Sequence, residues 1–70
     1  MKSQTLFEYI QEQSIILNQS LREIAKDSDV SYTTLYHLKH RAPSRKTYNK
    51  LAEYFDIDIR ELIKYPITHK

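Results

Sequence analysis

Three times in 70 residues a Thr, Ser or Asp is followed three places later by Glu: Thr5 with Glu8, Ser20 with Glu23, and Asp58 with Glu61. At that spacing the first side chain accepts from the amide of the second residue while the glutamate reaches back to the first amide, an exchange that starts an α-helix. Leu6, Tyr9 and Ile10 follow the first signal and predict a helix over about 6–13, after which "SIILNQ" reads as a short, partly apolar link. Leu21, Ile24 and Ala25 follow the second and predict a helix running to about Asp27. Ser31 can cap a third helix over 32–40. "HRAPS" then breaks the pattern, because Pro43 disfavours helix at Ala42, and Ser44 is placed to cap a fourth helix carrying Tyr48, Leu51, Ala52 and Phe55. The third box precedes Leu62 and Ile63. No segment makes a convincing strand, so the fold class expected is all-α, with five short helices joined by short links.

A chain of this length makes one domain at most, expected over residues 1–70, and buries only about 60% of the surface its unfolded form exposes. There is little room for a deep active site. The absence of cysteine rules out disulfides and thiolate metal sites and suits a reducing cytoplasm. "MKSQTLFEYIQEQ" lacks the apolar run of a signal peptide, and no segment approaches the roughly 20 apolar residues of a membrane span. A soluble, cytoplasmic protein without membrane contact is the expectation. His37 and His40 are spaced like a metal pair, yet no cysteine or carboxylate lies near in sequence to complete a site. With no glycine in the chain there is also no phosphate-cradling loop. Neither catalysis nor a metal, cofactor or small-molecule ligand is expected.

The net charge of +2 is unevenly distributed. Residues 1–29 and 53–70 each carry more carboxylates than cations, whereas residues 30–52 hold Lys39, Arg41, Arg45, Lys46 and Lys50 with no acid. A basic block alone is often only a solvated surface. Here it flanks an unusual helix. Set at 100° per residue, Ser31, Thr34, Leu35 and Leu38 fall on one side of the third helix, while Tyr32, Thr33, Tyr36, His37 and His40 gather within an arc of about 140° on the other. Leu35 and Leu38 supply the buried stripe, which leaves hydroxyls, imidazoles and aromatic rings facing outward. Tyrosines at helical spacing are more often packed than functional, but this helix already has its core side.

The segment "SLREIAKDSDVSYTTLYHLKH", Ser20 to His40, resembles the helix-turn-helix of the Cro/C1-type (lambda-repressor-like, Xre) family, and "APSRKTYNKLAEYFDIDIRELI" is similar to that family's fourth and fifth helices. The resemblance covers roughly residues 5–64. Ala25 is small where the two helices of the motif cross, Val30 closes the turn, and Leu35 and Leu38 pack the second helix onto the first. The family implies a five-helix fold with its helix-turn-helix at about 20–40, and a third helix lying in the major groove of double-stranded DNA. Residue by residue, it implies base contacts from Tyr32, Thr33 and His37, with Tyr36 on the same face. It implies phosphate contacts from Ser31 and His40 and from the start of the second helix at Ser20 and Leu21. Many relatives carry glutamine where this chain has Leu21, so the amide remains but the side-chain contact is missing. Asp29 occupies a turn position where glycine is common because the backbone is left-handed there.

Lys39, Arg41, Arg45 and Lys46, with Ser44 at the start of the fourth helix, would supply affinity without sequence preference, whereas Thr33 and His37 can discriminate base edges. The expected function is that of a sequence-specific transcriptional regulator on an operator of palindromic half-sites. A compact Cro or repressor-like protein of a phage or mobile element fits, and so does the DNA-binding domain of a longer repressor. The tail "ELIKYPITHK" leaves Ile63, Tyr65 and Ile67 without obvious partners, and since relatives often dimerise near the fifth helix, the resemblance implies a homodimer through the fifth helix and tail. The rival reading is a protein-binding module, antitoxin-like or antirepressor-like, using Tyr32, Tyr36 and His37 as an aromatic patch.

Overall fold

The computed structural model describes residues 4–68 and contains five helices among them: α1 (Leu6–Leu17), α2 (Leu21–Ser28), α3 (Tyr32–His37), α4 (Arg45–Phe55) and α5 (Ile59–Ile63). Lys2 and Lys70 of the charge count lie outside the described residues. Every helix starts on an oxygen-bearing cap. Thr5 and Ser20 form the reciprocal boxes expected of them, with Glu8 accepting from the Thr5 amide at 2.9 Å and Glu23 from the Ser20 amide at 2.8 Å. Ser31 and Ser44 accept from the amides of Thr34 and Thr47. At Asp58 the expected box does not form. Its carboxylate accepts from the backbone of Arg60 at 2.9 Å and from the Arg60 guanidinium at 3.0 Å, and Glu61 turns to Lys64 instead.

Three helices end by the same device, in a chain with no glycine. Asn18, Asp29 and Asp56 take φ of 55°, 63° and 56°, and the amide after each closes back on the helix: Gln19 on Ser14, Val30 on Ala25, Ile57 on Ala52. Two boundaries differ from those expected, the first through the closure at Asn18 and the second through a right-handed turn at Leu38. The "SIILNQ" segment is not a link, because nothing interrupts α1 until the left-handed Asn18. Its Ile15, Ile16 and Leu17 are 80%, 66% and 45% exposed, so they carry no inward-facing period. α3 is shorter than expected, ending at His37. Residues 38–40 form a turn in which the amides of His40 and Arg41 both reach the His37 carbonyl, so His40 stands off the helix.

The large side chains that are fully buried are all aliphatic, one or two from each helix: Leu6 and Ile10, Ile24, Leu35, Leu51 and Leu62, joined by Leu38 from the turn after α3 and flanked by Phe7 and Tyr9. Ala25 is buried where α2 meets its neighbours, and Val30 closes the turn. α2 packs against α1, α3 and α4, and α4 against α5. The tail is not left over. Tyr65 lies 4.7 Å from the ring of Tyr9, Ile67 packs on the core, and the Pro66 carbonyl accepts from the Leu6 amide at 2.8 Å. The expectation that Tyr65 and Ile67 lack partners within the chain is therefore overturned, and only Ile63 of that trio is exposed.

Candidate nucleic-acid interface

α2, the left-handed Asp29 and α3 make a helix-turn-helix. The turn is held by more than its own backbone, because Lys50 of α4 donates to the Asp29 carbonyl at 3.0 Å and stands 3.3 Å from its carboxylate. Lys50 belongs to the basic block by sequence and to the turn by structure. With Leu35 and Leu38 buried, α3 presents Tyr32, Thr33, Tyr36 and His37 to solvent, and the tyrosines are 38% and 46% exposed. These four share one face, as the helical spacing predicts.

Beside that face lie Ser31, Lys39, His40, Arg41, Ser44, Arg45 and Lys46, all exposed. A hollow of about 280 Å³ between α3 and the start of α4 is walled by Thr34, His37, Arg41, Ser44 and Thr47, so it brings base-reading and phosphate-side candidates to one concavity. Across the motif, Ser20 is exposed and caps α2, while the Leu21 side chain turns toward the core. The Leu21 amide sits in the first turn, where amides have no partner within the helix. Ion pairs among the described residues join Lys50 to Asp29, Arg60 to Asp58 and Lys64 to Glu61; none takes up Arg22, Lys39, Arg41, Arg45 or Lys46. The cations near α3 thus keep their charge available to an external anion.

The aromatic face is more organised than its sequence indicates. The Arg22 guanidinium lies 4.8 Å from the centre of the Tyr32 ring, Tyr32 and Tyr36 are 6.4 Å apart, and the Lys39 ammonium sits 4.6 Å over Tyr36 and 5.3 Å from Phe7. Arg22 escapes sequence reading because it stands among Glu23, Asp27 and Asp29 and is separated from Tyr32 by a turn; no periodicity links the two.

Other features bear on what the surface can do. No group of three or more His, Cys, Asp or Glu side chains among the described residues is placed to hold a metal ion. No described helix is long and apolar enough to cross a membrane. Burial pushes the phenols of Tyr9 and Tyr48 above their ordinary value, whereas hydrogen bonding from Arg60 holds the Asp58 carboxyl below its own. None of the three belongs to α3.

No curated protein and no solved structure matches the chain. A family match does, over residues 9–66, and its description is a Cro/C1-type HTH DNA-binding domain. That span takes in all of α2 through α5 and most of α1, the helix-turn-helix included. On this match, and on an all-helical fold of five elements in the expected order, the chain belongs to the Cro/C1-type helix-turn-helix DNA-binding domain family.

Proposed function

We infer that this DNA-binding domain is a sequence-specific transcriptional regulator of Cro or repressor type, from a phage or mobile element, that reads the major groove with α3. The observation that carries the reading is the pairing of an outward α3 face with a flank of cations that no carboxylate within the described residues neutralises. Second helices of this motif lie in the major groove with their first residues on base edges. Thr33 then offers a methyl or hydroxyl and His37 an imidazole donor, with the edges of Tyr32 and Tyr36 alongside. Ser20, the Leu21 amide, Ser31, Lys39, His40, Arg41, Ser44, Arg45 and Lys46 serve the phosphates. Ser20 accepts from Glu23 through its oxygen and keeps a hydroxyl proton to donate.

The molecule measures 30 Å along its longest axis, less than the 34–36 Å or so of one DNA turn. One copy therefore addresses one groove segment, and palindromic half-sites require a pair. The homodimer proposed here uses the α5 surface around Ile63. A protein-binding role for the tyrosine face is not favoured by the family match.

The test is a titration of Arg45→Ala, Lys46→Ala, Thr33→Ala and His37→Ala on a selected site and on random duplex at several salt concentrations. Arg45→Ala and Lys46→Ala are expected to weaken both duplexes alike and to flatten log affinity against log salt by about 0.9 each. Thr33→Ala and His37→Ala are expected to lose about 1–3 kcal/mol on the selected site while nearly sparing random DNA. Equal losses on both duplexes for all four would leave a non-specific binder.

A further inference from the structure

The contacts Arg22–Tyr32–Tyr36–Lys39 form a continuous row along one side of α3, with a cation at each end and two tyrosine rings between. Arg22 is the second residue of α2, beside the Ser20 cap and the Leu21 amide. No acid stands at helical spacing from it: three and four places before are Gln19 and Asn18, and three and four places after are Ala25 and Lys26. Its neighbour Glu23 is committed to the Ser20 amide, and Asp27 receives the Gln19 side chain. The guanidinium is held instead by a ring face, which fixes its position without neutralising it. That ring belongs to the first residue of α3, on the same outward arc as Thr33 and His37. The hydroxyls of Tyr32 and Tyr36 make no hydrogen bond among the described residues, and each ring carries a cation over one face.

We propose that Arg22, seated on the Tyr32 ring, is a DNA-backbone contact of this chain, and that Tyr32 is a positioning residue acting through Arg22. Tyr36 holds Lys39 in the same way. The guanidinium presents its N–H fork to a phosphate at the seam between α2 and α3, where the inward-turned Leu21 offers only its backbone amide beside the Ser20 hydroxyl. One cation at each end of the row would then grip the backbone on the two sides of the groove that α3 enters. This rests on the DNA-binding reading above and adds to it a residue of α2 and a role for the tyrosines.

The test uses the full chain and a random-sequence duplex, with affinity read by fluorescence anisotropy over a range of salt and thermal midpoints recorded for every variant. Arg22→Ala is expected to flatten the salt slope by about 0.9, which at 0.15 M salt is a loss of about fivefold. Tyr32→Phe keeps the ring that seats Arg22 and is expected to keep the parent's salt slope on this random duplex, where no base is read. Tyr32→Leu is expected to lose about two- to fivefold, and adding it to Arg22→Ala is expected to bring no further loss. An unchanged slope in Arg22→Ala, with Arg45→Ala flattening it, would overturn this assignment and leave DNA binding intact. A loss in Tyr32→Phe confined to a selected site would show the hydroxyl reading a base and overturn the positioning role. Random-duplex affinity that ignores salt in the parent would overturn both this proposal and the reading it rests on.

Discussion

Asp29 holds φ at 63° where a Cβ is disfavoured, and its carboxylate gains only a surface partner in Lys50. Replacing it by glycine removes the backbone penalty and keeps the carbonyl that Lys50 also reaches. Asp29→Gly is therefore expected to stabilise by up to about 1 kcal/mol, and the sign of the shift in a urea melt checks it. Ala25 poses the opposite case. It is 3% exposed, and its carbonyl receives the Val30 amide that closes the turn. Ala25→Leu is expected to overpack this crossing by about 1–3 kcal/mol, and a thermal midpoint equal to the parent's would contradict its placement. Both positions are legible in the sequence through its resemblance to the family, which marks the helix crossing at Ala25 and the left-handed turn at Asp29. Asn18 and Asp56 take the same left-handed conformation, and a reading alert to Asn or Asp as substitutes for glycine at helix ends would have found them.

Among the elements, α1 depends on a residue at the other end of the chain. The Pro66 carbonyl takes the Leu6 amide, one of the donors a helix start cannot satisfy by itself, and Tyr65 covers Tyr9. Removing residues 65–70 is expected to destabilise the fold by about 2 kcal/mol or more and to speed hydrogen exchange at the Leu6 amide ahead of the α4 amides. α5 carries a pH dependence of defined sign. Arg60 lowers the Asp58 carboxyl in the folded state, so its contribution is present above the unfolded carboxylate value and is lost as pH falls through the lower folded one. Because both groups are exposed the effect is small, and Asp58→Asn is expected to remove it from the acid limb of an amide-exchange profile at Leu62. The capping spacing correctly located the start of α5 but not the Arg60 partner, because the guanidinium takes the Asp58 carboxylate while the Glu61 amide goes to the Asp58 carbonyl.

On the scale of the whole molecule, the proposed homodimer predicts a thermal midpoint that rises with protein concentration. Ile63→Asp is expected to abolish that rise, and sedimentation velocity would show a monomer; the same result from Ile16→Asp alone would move the interface to the exposed end of α1. The helix count, their starts, the buried leucines and the acid-free basic block follow from the sequence alone, since each depends on residues within a turn or two of one another. α1 outruns the length that the sequence predicts because its last turn buries nothing and so has no period to read. Three matters were decided only in the tertiary structure: Lys50 turning from the basic surface to brace Asp29, Arg22 lying on Tyr32, and Tyr65 with Ile67 folding back on the core. Each joins residues ten or more places apart on different elements. Periodicity reports the face a residue occupies on its own helix, whereas the neighbour that meets that face is set by how the helices pack.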